Sequence, residues 1–252
     1  MEASPLQGRV AVVTGGAGGI GSAICRRLAS AGANVVVGYN SSHEQASAVA
    51  ASLPNVPGGH VAMRAPVTDA DALEALCVEL TGKFGKCDLL VNCAGTTRFV
   101  PHDDLVALDD QLIDNILQVN VRGPLATIRA LLPLLRRSPQ ALIVNISSIA
   151  AVTATGSNVI YCASKAALDN MTKSLGRALA PKVRVVSVSP GLVATEFVRR
   201  LDSDWRDAQI ERTPLGDLAT PEQIANAVFS AAAYLTFTTG AVIPVDGGRQ
   251  LY

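Results

Sequence analysis

The chain is poor in aromatic residues and carries no net charge. Of its 252 residues only 4% are Phe, Trp or Tyr, and 21 Lys and Arg stand against 21 Asp and Glu. No basic run exceeds two residues, so the electrostatic footprint of a nucleic-acid binder is missing. Three histidines, and five cysteines without a C-x-x-C pair (Cys25, Cys77, Cys87, Cys93 and Cys162), offer a metal too few ligands, and none is expected. The scattered, odd-numbered thiols read as reduced groups inside the fold rather than a disulfide framework. No stretch of about 20 apolar residues could cross a bilayer, and residues 1–9 lack the basic-then-apolar pattern of a signal peptide. The expectation is a soluble cytoplasmic protein with neither nucleic acid nor membrane as a partner.

What is present is aliphatic. Hydrophobic residues make up 49% of the chain, rich in Ala and Val, a mix that suits buried parallel strands covered by helices. A chain of this length buries roughly three quarters of its unfolded surface, so its core needs no staples. Short apolar runs at 9–14, 34–38, 60–65, 89–92, 141–146, 183–188 and 241–245 alternate with helical patterns at 19–30, 43–53, 69–84, 104–137, 157–180 and 221–235. This alternation predicts an α/β chain. The expectation is a single doubly wound Rossmann-type domain over residues 1–252, with about seven parallel strands and helices on both faces. Right-handed crossovers would put ligands outside the carboxyl ends of the strands. Asp69 reads as a helix cap, and Thr220-Pro221 as an N-cap followed by Pro at the first helical position. Residues 196–219 show no clear periodicity and read as a long loop of the kind that forms a substrate lid.

Two patterns carry chemistry. The first strand runs into Gly15-Gly16-Ala17-Gly18-Gly19-Ile20-Gly21 and then a helix. Gly15 allows a tight turn, Gly19 lets the backbone approach a pyrophosphate, and Gly21 permits close helix–strand packing. The N–H groups around Ile20 at the helix start face the phosphates. The second pattern is Tyr161 four residues before Lys165, neighbours on one helix face. A free phenol, with a pKa near 10, is a poor acid–base group at neutral pH, and a nearby ammonium favours its phenolate. Thirteen residues before Tyr161, Ser148 ends an apolar strand, where its hydroxyl can hydrogen-bond a carbonyl oxygen.

The spacing T-G-x-x-x-G-x-G from Thr14 to Gly21, with Ser148, Tyr161 and Lys165, resembles the short-chain dehydrogenase/reductase family. The resemblance runs from Gly8 to Val245-Asp246-Gly247-Gly248. It implies a reversible carbonyl/alcohol oxidoreductase acting on a small molecule. Hydride passes between nicotinamide and carbon, Tyr161 handles the proton, Ser148 polarises the oxygen, and Lys165 holds the nicotinamide ribose. Asn120, within Val119-Asn120-Val121, is the family's fourth member, holding a water and the lysine in a proton relay. The family also assigns Asn92, Ala94 and Gly95 to the ribose region. Pro190, Gly191, Val193 and Thr195 fall to the nicotinamide carboxamide and its surroundings. Cys93 departs from the family's second asparagine. Pro66 stands where an Asp is common, which leaves adenine recognition to the Val67 backbone. 3-Oxoacyl-carrier-protein reductases and broad carbonyl reductases are the nearest general resemblance. A sugar or polyol dehydrogenase is the alternative enzyme. A cofactor-sensing protein that has lost turnover is the alternative of another class, although it would not need all four groups. The family's usual interfaces imply a homo-oligomer, dimer or tetramer.

Cofactor choice falls at Tyr39, Asn40, Ser41 and Ser42, where the second strand ends. An acid about 20 residues after the glycine loop would hold the ribose hydroxyls of NAD. No acid occurs from Asn34 to His43, and the amide and hydroxyls there suit a 2′-phosphate, so NADP(H) is favoured over NAD(H).

Overall fold

Three of the apolar runs are buried at every residue: β1 (Val10–Thr14), β4 (Leu89–Asn92) and β5 (Ala141–Ile146). They form the middle of a seven-stranded sheet that also holds β2 (Asn34–Tyr39), β3 (Val61–Arg64), β6 (Val183–Pro190) and β7 (Val242–Val245). The order is β3-β2-β1-β4-β5-β6-β7, and every pairing is parallel. The computed structural model describes residues 4–199 and 202–251. The expected doubly wound α/β architecture is what it shows.

The helices are α1 (Gly19–Ser30), α2 (His43–Ser52), α3 (Ala70–Phe84), α4 (Asp110–Leu117), α5 (Gly123–Leu135), α6 (Ala150–Thr153), α7 (Val159–Ala178), α8 (Glu196–Arg199), α9 (Ser203–Glu211) and α10 (Pro221–Ala233). Strand side chains alternate between two cores. Ala11, Val13, Val35 and Val37 meet Ile24 and Leu28 of α1 and Ile224, Val228 and Phe229 of α10. Val12 and Val36 face the other way, onto Leu73, Leu76 and Leu80 of α3 and Leu131, Leu134 and Leu135 of α5. Each such side chain contributes about 1.5–3 kcal/mol by leaving water. Burial on both faces is why these strands read as continuous apolar runs rather than alternating ones.

Caps explain several boundaries. Asp69 accepts the Ala72 N–H at 3.0 Å to start α3, and Gly85, at φ +70°, ends it. Thr220 and Gln223 form a reciprocal capping box before Pro221. Two expectations are corrected. The pattern at 104–137 is not one helix, because Asp109 caps α4 and so sets its start at Asp110. A π-helical segment, Gln118–Arg122, then separates α4 from α5. Residues 196–219 are not a bare loop, since α8 and α9 lie within them, although residues 200 and 201 fall outside the described part. Asp202 caps α9 by accepting the Trp205 N–H at 2.9 Å. An acidic, weakly apolar helix like α9 carries no periodic stripe for the sequence to show.

The end of the sheet opposite the strand carboxyl ends is tied together by Asp88. Its carboxylate accepts the Val10 N–H at 2.8 Å, the Ser138 hydroxyl at 2.5 Å and the Lys86 ammonium at 2.9 Å. Burial alone would raise this carboxyl, but the bonds from Ser138, Lys86 and Val10 outweigh it and hold the group below the ordinary carboxylate range. Its ionised form therefore contributes stability above the unfolded value, about 3.9, and that contribution is lost as pH falls through the lower folded value. Asp88→Asn should cost about 1–3 kcal/mol near neutral pH and flatten the acid limb of the stability profile. Urea midpoints measured at steps from neutral pH downward check this; parallel acid limbs for the two proteins would contradict it.

Candidate active site

The strand order reverses between β1 and β4, so the loops leaving these two strands diverge and open a crevice. The β1 loop is built by close approach. Gly15 sits at φ +63°, and a Cβ there would lie 3.0 Å from Ala94 Cα. A Cβ on Gly21 would stand 2.2 Å from the Gly15 carbonyl oxygen, so α1 can begin there only without one. Gly18 caps α1 with no side-chain bond, leaving the Gly19, Ile20 and Gly21 N–H groups as first-turn donors without intrahelical acceptors. Above them lies Thr195, whose Cγ2 would be 3.3 Å from a Cβ on Gly19. An uncapped helix start under a glycine-lined cradle fits the pyrophosphate of a dinucleotide. The Thr14 hydroxyl accepts the Cys93 and Ala94 N–H groups, each at 3.1 Å, so the β1 and β4 loops are joined directly.

At the other end of this cradle, Tyr39 closes β2 and Asn40, Ser41 and Ser42 follow, all three exposed. Ser42 precedes α2 without making a side-chain cap. Two further side chains, without a signal of their own in the sequence, lie close by. His43 meets the Tyr39 ring edge-on at 5.2 Å between centroids, and Arg64 is the register partner of Tyr39 on β3. His43 was readable as the next residue after Ser42, whereas Arg64 becomes a neighbour only through the β2–β3 register. Pro66 is buried and its carbonyl accepts the Asp69 N–H at 3.1 Å. Val67 is buried with its Cγ2 2.7 Å from where a Gly123 Cβ would be. The Ala72 N–H, aided by Arg64, holds the Asp69 carboxyl below the usual range, as befits a cap.

Across the crevice, the loop after β4 is fastened to the π-helical segment. Asn120 lies inside that segment and is only 1% exposed. Its Oδ1 accepts the Thr96 N–H at 2.8 Å, while Nδ2 donates to the Thr96 carbonyl at 3.0 Å and to Ser164 Oγ at 3.1 Å. Ser164 in turn donates to the Tyr161 carbonyl at 2.7 Å. Lys165 is buried, with Nζ 5.7 Å from the Tyr161 ring centroid and 2.9 Å from the Ile146 carbonyl, which accepts its proton. A Cβ on Gly95 would lie 3.5 Å from Asn120 Oδ1 and 3.8 Å from Lys165 Nζ, so these groups share one small space. Ser148 leaves β5 with its Oγ accepting the Ala150 N–H at 3.2 Å. It connects to Tyr161 through α6 and Gly156, whose Cβ would touch both Ala150 and the Tyr161 ring.

A line of buried polar groups underlies the site, and of its members only Asn92 stands out in the sequence. Asn92 Nδ2 donates to Asn145 Oδ1 at 2.9 Å, Asn145 Nδ2 to Thr172 Oγ1 at 2.8 Å, and Thr172 pairs with Ser187 at 2.8 Å. It ties β4, β5, α7 and β6 at the level of the crevice. Burial pushes the Cys93 thiol up to about 12, against the opposing pull of Lys165, so at neutral pH it is a small protonated group. Beyond β6, the Pro190 carbonyl accepts the Ile149 N–H at 2.9 Å and the Gly191 N–H reaches the Val245 carbonyl at 3.0 Å. Val193 bridges to Ala219, and the Thr195 N–H bonds the Val193 carbonyl at 2.7 Å. The turn is thereby aimed back over α1. The described residues contain no His/Cys/Asp/Glu cluster fit for a metal, and no described helix is long and apolar enough to cross a membrane.

Residues 15–250 match the family model described as "Enoyl-(Acyl carrier protein) reductase". The chain is 38% identical over 244 residues to a Streptomyces violaceoruber protein named as ketoacyl reductase 2 of the granaticin polyketide synthase, covering 96% of each chain. It is 32% identical to the 3-oxoacyl-[acyl-carrier-protein] reductase FabG of Thermotoga maritima, covering 96% of this chain and 98% of that one. Among solved structures, the Pseudomonas aeruginosa RhlG/NADP active-site complex superposes with a TM-score of 0.90 at 31% identity. That match covers 99% of this chain and all of the other.

The close approach at Gly21 gives a direct test. Gly21→Ala should weaken dinucleotide binding at least tenfold and lower stability by about 1–3 kcal/mol, the usual cost of overpacking. Titration by quenching of Trp205 and thermal melting read the two effects, and unchanged binding would show that the loop tolerates a Cβ.

Proposed function

Because the chain belongs to the short-chain dehydrogenase/reductase family and is an NAD(P)-dependent oxidoreductase, we propose that it interconverts a carbonyl and a secondary alcohol with Tyr161 as the proton carrier. What supports the reading is the cluster in which Lys165 Nζ lies 5.7 Å from the Tyr161 ring while Asn120 fixes the adjoining Thr96. The bound nicotinamide supplies or accepts the hydride. In the reducing direction the Tyr161 phenol gives its proton to the substrate oxygen, and the Ser148 hydroxyl donates a hydrogen bond to that oxygen as charge develops. The Lys165 ammonium puts positive charge beside the phenol as it becomes phenolate, and its second task is the nicotinamide ribose. Asn120 keeps the 94–96 turn and the α7 face in register with one another, next to the relay that returns a proton to Tyr161.

Gly15, Gly19, Ile20 and Gly21 would hold the pyrophosphate, with Thr195 above it. Asn92, Ala94 and Gly95 would border the ribose, the Val67 backbone would meet the adenine, and the turn Pro190, Gly191 and Val193 the carboxamide. NADP(H) is favoured over NAD(H). Tyr39, Asn40, Ser41 and Ser42 supply hydroxyl and amide groups without an acid, and Arg64, which also pairs with Asp69, adds positive charge on the strand beside Tyr39. The substrate we propose is a 3-oxoacyl thioester, in keeping with the ketoacyl and 3-oxoacyl reductases among the relatives. Residues 196–219 act as its lid, and the whole chain works as one catalytic domain in a cytoplasmic homo-oligomer.

Tyr161→Phe should lower kcat by about 10²–10⁴-fold or more, the usual worth of a positioned acid, and leave the NADPH Kd within about twofold. A stopped assay on a panel of 3-oxoacyl thioesters, ketones, sugars and polyols checks it. Retained turnover in the variant, or a wild type that oxidises no cofactor on any member, overturns the reading. Saturating NADPH, at roughly 100 Kd, should add about 2.7 kcal/mol of apparent stability and NADH less. A larger thermal shift with NADH reverses the cofactor assignment.

A further inference from the structure

Asn120 is one of two buried asparagines that grip the loop after β4. The other is Asn158, also 1% exposed, three residues before Tyr161. It is the N-cap of α7, and its Oδ1 accepts the Tyr161 N–H at 2.7 Å. An ordinary cap is exposed and finished at that point. Here the amide nitrogen is also buried and used: Nδ2 donates to the Arg98 carbonyl at 2.8 Å and to Thr97 Oγ1 at 3.3 Å. The neighbouring residue repeats the join, with Ser157 Oγ 2.5 Å from Thr97 Oγ1 and the Ser157 carbonyl accepting the Val100 N–H at 2.8 Å. His102 adds a bond to the Gly156 carbonyl at 3.2 Å. Residues 96–102 and 155–158 are therefore one stitched wall beside Tyr161, with Gly156 against its ring.

We propose that Asn158 is a positioning residue that fixes the Tyr161 end of α7 to the substrate-facing wall at Thr97 and Arg98. The inference rests on Tyr161 being the proton carrier. Its two halves are separable because an amide presents one acceptor and two donors. The acceptor seats Tyr161 along the helix axis, and the donors hold the wall at the distance a carbonyl substrate must fit. Asp has the shape of Asn but presents oxygen to the Arg98 carbonyl. Ser keeps a good cap but is too short to reach it. Both therefore retain the first half and lose the second, whereas Ala loses both.

Three measurements on the full-length protein with NADPH, using the most rapidly reduced member of the carbonyl panel, test this. In Asn158→Ser and Asn158→Asp, KM should rise at least fivefold with kcat within twofold and NADPH affinity unchanged. Amide exchange at Val100 should quicken at least tenfold while the α7 amides keep wild-type rates. Asn158→Ala should lose a further tenfold in kcat and quicken exchange at Tyr161 as well. Thr97→Ala, an exposed change that cannot unfold the chain, should raise KM by a smaller factor in the same direction. Wild-type KM and Val100 exchange in the Ser, Asp and Thr97→Ala proteins overturn the proposal, as does a loss of NADPH affinity matching the rise in KM. If instead Tyr161→Phe retains turnover, it is the proton-carrier reading that fails, whatever the Asn158 variants do.

Discussion

The backbone that leaves β4 has nothing to pair with. Within the sheet β4 pairs with a strand on each side, but residues 94–98 step off the carboxyl edge into the crevice. Buried backbone groups there still need partners. The structure supplies them from side chains: the Thr14 hydroxyl for Cys93 and Ala94, and the Asn120 amide for both polar groups of Thr96. A side chain that satisfies an N–H and a C=O of one residue must carry an acceptor and a donor a short distance apart, which an amide does and a carboxylate does not. Because Asn120 also reaches Ser164, the height of this loop and the rotation of α7 are set by one group. The positions of Gly95, Lys165 and Tyr161 relative to each other depend on it.

The same region is shaped as much by atoms that are absent. Gly21 comes against the Gly15 carbonyl at a distance no Cβ would permit, and Gly15 packs tightly on Ala94. Gly123 gives Val67 the same allowance on the opposite wall. Close approach of this kind lets a helix N-terminus arrive bare at the crevice, so its dipole and free N–H groups are left open to a ligand instead of closed by a cap. Beneath it, the Asn92–Asn145–Thr172–Ser187 line holds four elements with directional bonds in an otherwise aliphatic interior. Directional bonds between buried polar groups favour one arrangement of the sheet over its near alternatives.

Much of this was legible in the residues. The apolar runs gave β4 and β5 to the residue, because a strand buried on both faces leaves an uninterrupted signal, and α1 likewise because the glycines fix where it starts. Tyr161, Lys165 and Ser148 stood out by spacing, and Asp69 by its place before an apolar helix. What was missed has a physical reason in each case. The π-helical turn leaves the apolar pattern of 104–137 nearly unbroken, since one extra residue shifts the period only locally. Helix α9 buries no residue completely, so its sequence lacks a stripe. Arg64 reaches the end of β2 through strand register, and the second role of Asn158 through a loop about sixty residues away in the chain. Neither relation exists until the chain is folded.

The π-helical segment also sets a rule about length. Gln118–Arg122 holds one residue more than an α-helical path would need, and α4 and α5 run on from it in opposite directions along the chain. An α-helix turns by about 100° per residue. Deleting any residue of the segment would restore regular geometry locally and would be cheap in propensity alone. It would also swing α5 by about that angle against α4. Either Leu131, Leu134 and Leu135 would then leave the sheet for water, or Ile116 would leave its buried place on α4. The stretch from Asp110 to Leu135 should thus accept substitutions at its exposed positions while rejecting any change in count, behaving as a ruler whose outer face can be repainted but whose divisions cannot be removed.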